Sequence, residues 1–190
     1  MSEARARLLS TASGLFYSEG LHSVGIDRII AAAPVTRATL YRHFPSKDDL
    51  VVAYLTQADD AIRTRTDAAR AEDASPDDII RTVCRSITDD IQSPGFRGCA
   101  FLNAAAEYPD PAHPVHQAVL RHRQWFLDTI TELFSDTGKP DPEPAARHFV
   151  MLRDGAMAAG CLSDPKAVCE TFLRGIEGLL KYRSREQPDS

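Results

Sequence analysis

Apolar residues recur three and four positions apart through most of the chain, the spacing of helices with one buried side. Leu8, Leu9, Ala12, Leu15 and Phe16 form such a stripe between Glu3 and Tyr17, and Gly20 is placed to end that helix. Ile26, Ile29, Ile30 and Ala33 form the next, a short helix opened by Gly25 with Asp27 near its positive end. A third runs from Arg37 to His43: Thr36 caps it, Leu40 and Phe44 share its inward side, and Pro45 stops it. Ser46 then caps a fourth helix with Asp49 as its capping-box partner, and Leu50, Tyr54, Ala58 and Ile62 carry the apolar side toward a charged end near Glu72.

Ser75-Pro76 opens a fifth helix striped by Ile80, Val83, Ile87 and Ile91, and Ser93-Pro94-Gly95 breaks it. The run GCAFLNAAAEY makes a sixth, closed by Pro109-Asp110-Pro111. The seventh spans about Ala112 to Thr137, with Val119, His122, Phe126, Ile130 and Leu133 on one side. After a Pro-rich loop at Gly138–Pro142, helices over about Glu143–Cys161 and Asp164–Tyr182 form an antiparallel hairpin, and the tail Ser184–Ser190 is expected to fray. The spacing thus predicts an all-α protein of about nine helices, three of them in a short N-terminal module.

That module carries the most specific chemistry. The outward side of the third helix bears Arg37, Thr39, Arg42 and His43, donors and hydroxyls of a size that reaches base edges and phosphates in a major groove. Thr36 is placed to meet a phosphate, and so is Lys47, where a cation and a helix N-terminus act together. With the two helices before it, this segment reads as a helix-turn-helix. Residues 9–55, above all GLHSVGIDRIIAAA followed by RATLYRHFPSKDDLVVAYL, resemble the N-terminal domain of the TetR/AcrR family of bacterial transcriptional regulators.

The resemblance implies a homodimeric, all-helical, one-component regulator. Residues 1–48 would form the helix-turn-helix DNA-binding domain, and residues 49–190 a helical domain that dimerises and holds a small-molecule effector. It also implies that Tyr41 touches the DNA backbone, a role that helical spacing alone does not assign. One departure stands out. The family usually has glycine in the turn between the second and third helices, and this chain has Pro34, which cannot adopt a positive φ. The turn must be rebuilt, with Ala33 released from the helix because a residue before proline avoids helical angles.

Composition fits one helical assembly with a small head: 190 residues and 43% hydrophobic content suffice for a substantial core. There is neither an apolar run long enough to span a membrane nor a signal-peptide pattern, so the expected compartment is the cytoplasm. Cys84, Cys99, Cys161 and Cys169 lack CxxC spacing and read as reduced thiols. The net charge of −5 is unevenly divided, since residues 1–50 hold six Lys/Arg against five Asp/Glu. The acidic remainder would repel DNA everywhere except through the head.

The terminal hairpin is the expected dimer interface. Gly155, Ala156, Ala159, Gly160, Gly175 and Gly178 allow close helix approach, and Phe149, Leu152, Val168, Phe172, Ile176 and Leu179 supply apolar area. Such a dimer would place two heads one DNA turn or a multiple apart on a palindromic operator. For the effector, Cys99, Asn103 and Glu107 fall at i, i+4 and i+8, and His122 interrupts an apolar stripe beside Trp125 and Phe126. Phe101, Tyr108, Met151 and Met157 are further lining candidates, although such residues are more often core.

Sharper chemistries carry less weight. His113 and His116 with Glu107 could converge on a divalent metal, but the surrounding prolines favour loop and helix-start roles, and neither metal nor cofactor is expected. Cys99 at a helix N-terminus could sense oxidants, although a packing cysteine is the commoner case. No Gly-rich phosphate loop, HExxH or GxSxG occurs, so an enzyme is not expected. The reading is a TetR-like repressor released from its operator by a small molecule. The rival is a helical ligand-binding or thiol-sensing protein with weak or lost DNA binding.

Overall fold

The computed structural model describes residues 2–71 and 74–181, so the expectations for Glu72, Tyr182 and the tail Ser184–Ser190 lie outside the described residues. Among the described residues there are nine helices and no strand: α1 Glu3–Glu19, α2 Ile26–Ala32, α3 Arg37–His43, α4 Lys47–Ala71, α5 Pro76–Gln92, α6 Ala100–Glu107, α7 Pro114–Asp136, α8 Pro142–Ala159 and α9 Pro165–Lys181. The all-α expectation holds, and α3 begins and ends at the expected residues because both of its ends are chemically marked. No helix among the described residues is long and apolar enough to cross a membrane.

Two compact units divide the chain. A head unit comprises Met1–Ile62 with Cys99–His122, and a body unit comprises Arg63–Gly98 with Arg123–Ser190. The expected boundary after Asp48 cuts the sequence once, whereas the spatial division takes α6 and the first part of α7 into the head. The head core is built from Leu8, Leu9, Ala12 and Phe16 of α1, Ile29 of α2, Leu40 of α3, and Leu50, Val51, Tyr54 and Leu55 of α4. Phe16 and Tyr54 meet at 5.9 Å between ring centroids, and burial raises the Tyr54 phenol well above its ordinary range. Ile26, Ile30 and Leu15, expected in the core, are only half-buried, because a module this small cannot enclose every apolar position.

In the body, Phe149 on α8 is fully enclosed and meets Phe126, Phe134 and Phe172 at 6.1–6.3 Å between centroids. Ion pairs fasten the helices around it: Arg65 to Asp90, Arg70 to Glu132, Arg123 to Asp154, and Arg81 to Glu177 at 2.7 Å. Gly160 closes α8 where nothing larger fits, since a Cβ there would lie 2.8 Å from Ile91 Cγ2 and 3.0 Å from Phe96. Cys84 and Cys169 are buried, and loss of solvent pushes the Cys84 thiol up to about 12, which keeps it protonated and inert.

Candidate DNA-reading site and its surroundings

The turn into α3 is rebuilt around Pro34 as the sequence requires. Ala33 leaves the helix with φ −99° and ψ 133°, while its amide still closes α2 on the Ile29 carbonyl at 2.8 Å. The Val35 amide donates to the Ala33 carbonyl at 2.7 Å, a three-residue turn centred on proline whose locked φ suits the inverse γ form. No non-glycine residue among those described has a positive φ, so the turn needs no left-handed residue at all.

Thr36 then caps α3, accepting from the Thr39 amide at 3.2 Å, and its hydroxyl also meets Thr39 Oγ1 at 3.0 Å. Leu40 and Phe44 turn inward and are buried, which leaves Arg37, Tyr41 and Arg42 exposed, with Tyr41 at 43%. Arg37 is held by Asp27 of α2, and His43 Nε2 lies 3.3 Å from Ser2 Oγ. Ser46 and Asp49 make both arms of a capping box: Ser46 Oγ accepts from the Asp49 amide at 3.0 Å, and the Asp49 carboxylate accepts from the Ser46 amide at 3.0 Å. Lys47, half-buried at the start of α4, donates from Nζ to the His22 carbonyl at 3.4 Å. All seven residues expected at DNA therefore lie on α3 or at its flanking caps and the start of α4.

The residues expected at an effector are divided between the two units, Cys99, Phe101, Asn103, Glu107 and His122 in the head and Trp125, Phe126 and Met151 in the body. Cys99, the N-cap residue of α6, is buried, Asn103 one turn on is exposed, and Glu107 binds the α1–α2 turn instead. Phe101 and His122 are buried together in the head unit, stacked at 3.5 Å with an interplanar angle of 7°. His122, 4% exposed, has its Nδ1 2.7 Å from Asp59 Oδ1. In the body unit Trp125 lies under the Arg63 guanidinium at 4.0 Å, and Phe126 joins the Phe149 cluster with Arg153 5.5 Å from its ring centre. Met151 is 70% exposed on α8.

Of the expected dimer residues, Phe149, Phe172 and Ile176 lie in the chain's own core, at 0%, 2% and 2% exposure. Leu152, Gly155, Ala156 and Ala159 line an open cleft of about 360 Å³ between α8 and α9, which Met151 joins. Leu179 lines a second, of about 560 Å³, with Gly175, Gly178 and His148. His113 and His116 are used locally, His113 Nε2 3.3 Å from Asp48 and His116 Nδ1 2.7 Å from the Tyr108 carbonyl. Among the described residues no group of three or more His, Cys, Asp or Glu is arranged to hold a metal ion.

Sequence reasoning missed the importance of Glu107 and Tyr108 to the head. Their partners lie 60–86 positions earlier, and no periodic signal connects such distances.

Comparison with known proteins agrees with this geometry. The family model described as "Bacterial regulatory proteins, tetR family" matches residues 8–54, the span from α1 into α4. The crystal structure of SCO4454, a TetR-family transcriptional regulator from Streptomyces coelicolor, is 68% identical, covers 95% of this chain and 96% of its own, and superposes with a TM-score of 0.92. The HTH-type transcriptional regulator YjdC of Escherichia coli is 22% identical over 181 residues, 94% of each chain. The HTH-type transcriptional activator FasR of Mycolicibacterium smegmatis is 40% identical in an alignment that covers 34% of this chain and 33% of that one. A capped α3 inside the span matched by the family model, with a 68%-identical relative covering 95% of this chain, leaves one conclusion: the chain belongs to the TetR family of bacterial transcriptional regulators, DNA-binding proteins and not enzymes.

Proposed function

We propose that the protein is a one-component repressor that binds a palindromic operator as a homodimer in the cytoplasm and is released by a small-molecule effector. The observation that carries this reading is α3, a seven-residue helix fixed at both ends that offers Arg37, Tyr41 and Arg42 to solvent. Arg42 and His43 reach base edges, Tyr41 and Thr39 the backbone, and Arg37, Thr36 and Lys47 the phosphates. Residues 1–48 make these contacts, and residues 49–190 supply the dimer and effector surfaces. The outer side of the α8–α9 hairpin meets its copy across the twofold axis, with exposed Leu152 and Leu173 around the small Gly155 and Ala159.

The effector is met on α6 and α7, where the buried His122 stacked on Phe101 is the polar group in an apolar stripe. Its binding favours a dimer state with head spacing that mismatches the operator, so it lowers DNA affinity by its differential affinity for the two states. The local match to a protein named as an activator makes the sign of regulation something to measure directly.

The test is binding of the purified protein to its own upstream DNA across a salt series, with Arg42→Ala and Lys47→Ala alongside, followed by transcription from that DNA in vitro. Expected are specific binding that weakens with salt, a loss of about 1–3 kcal/mol for Arg42→Ala if it reads a base, and a salt slope reduced by about one for Lys47→Ala. Transcription should fall when the protein binds. A folded dimer that binds no DNA would overturn the reading and favour a ligand-binding role.

A further inference from the structure

The turn between α1 and α2 is held by polar contacts that do not involve α3. Glu107, the last residue of α6, accepts the Leu21 amide on Oε1 at 2.8 Å and the His22 amide on Oε2 at 2.5 Å. Both amides belong to the turn between α1 and α2, which starts at Gly20 with φ +95°. The residues that follow Glu107 hold the same region from the other side. Tyr108 donates its hydroxyl to Asp48 at 3.3 Å and sets its ring edge-on to His22, with centroids 4.6 Å apart. His113 lies 3.3 Å from the other oxygen of Asp48, and Lys47 reaches back to the His22 carbonyl. The segment 107–113 thus ties the α1–α2 turn to the first residues of α4, all within the head unit.

We propose that Glu107 is a positioning residue for DNA reading: its carboxylate fixes the α1–α2 turn, and through it the angle at which α2 and α3 present their outward side. The inference rests on the DNA-binding function proposed above. It follows from the chemistry of the acceptor. One carboxylate uses both oxygens on two successive amides, a charge-assisted arrangement about twice as strong as neutral pairs. Leu21 is almost wholly buried, so loss of the carboxylate leaves its amide harder to re-satisfy than an amide in open solvent. Glutamine cannot replace it, because its amide offers one acceptor and sets an N–H against the other backbone N–H. Tyr108 reinforces the tie from within: burial, with Asp48 beside it, pushes its hydroxyl up to about 12, so it remains a donor at every physiological pH.

Simple electrostatics predicts the opposite outcome to positioning. Removal of a negative charge from a DNA-binding head should tighten binding, whereas loss of the tie should weaken it. The experiment uses the full-length protein and a duplex selected by it from a random-sequence library. Glu107→Gln should bind that duplex about tenfold more weakly with an unchanged slope of log affinity against log salt, because no phosphate contact is lost. Hydrogen exchange should quicken at the Leu21 and His22 amides and stay unchanged in α8 and α9. In the native protein DNA should slow exchange at those two amides, as reciprocity between coupled sites requires. Tyr108→Phe, which keeps the ring and loses one hydrogen bond, should weaken binding two- to threefold with the same slope, and serves if Glu107→Gln does not fold.

Native affinity in Glu107→Gln, or in Tyr108→Phe if that is the variant available, would overturn the proposal. So would a changed salt slope, or no protection of the two amides by DNA. If the native protein selects no duplex, the DNA-binding function proposed above fails, and this inference falls with it by a separately readable result.

Discussion

Arg37 has an anionic partner in the free protein and, under the proposed function, a second one on DNA. In the free protein its guanidinium pairs with Asp27 of α2, and both side chains are largely exposed. A DNA phosphate would compete for the same charge. An exposed pair of this kind is worth about 0.2–1 kcal/mol, so its release changes affinity by no more than about fivefold. Asp27→Asn is therefore expected to tighten operator binding up to about fivefold and to steepen the salt dependence by as much as about 0.9 in slope. Fluorescence anisotropy across a salt series measures both. Unchanged affinity and slope would mean that Arg37 does not reach a phosphate.

The helices differ in how openly the sequence declares them. α3 was legible to the residue because Thr36 caps it and Pro45 stops it, and the extended Ala33 was legible because proline dictates its neighbour's backbone. The roles of α6 were not. Cys99, Asn103 and Glu107 are spaced for one side of a helix, yet Cys99 lies at the N-cap outside the regular turns and Glu107 is drawn to the α1–α2 turn. Likewise an apolar stripe marks a covered side without saying which chain covers it, so Phe149, Phe172 and Ile176 read as dimer residues and are core.

Between α5 and α9 the bidentate pair of Arg81 and Glu177 gives a pH-dependent contribution. The hydrogen bonds from Arg81 hold the Glu177 carboxyl below its usual range, so the folded protein binds this proton less readily than the unfolded chain does. The pair's contribution is then complete above about pH 4.3 and fades as pH falls through the lower, folded value. The glutamate is partly exposed, which limits it to about 0.5 kcal/mol. Glu177→Gln should lower Tm by about 1–2 °C at pH 7 and by progressively less in acid below about pH 4.3, as followed by calorimetry. An equal loss at neutral pH and in acid would assign the effect to packing.

Dimerisation can be tested without disturbing the fold. A Cβ at Gly155 meets nothing within 4 Å, so a side chain there projects into the open α8–α9 cleft. Gly155→Arg should leave the helical circular dichroism unchanged, convert the dimer to a monomer in light scattering, and abolish high-affinity binding to a palindromic duplex. A variant that remains a dimer would place the interface on another surface. The discontinuity of the head unit bears on how the protein is made. Glu107 emerges from the ribosome 85 and 86 residues after the two amides it holds, and α7 up to His122 later still. A nascent chain that displays the reading helix has therefore not yet finished its head, and a message truncated before α6 would yield the recognition motif without the carboxylate that steadies it.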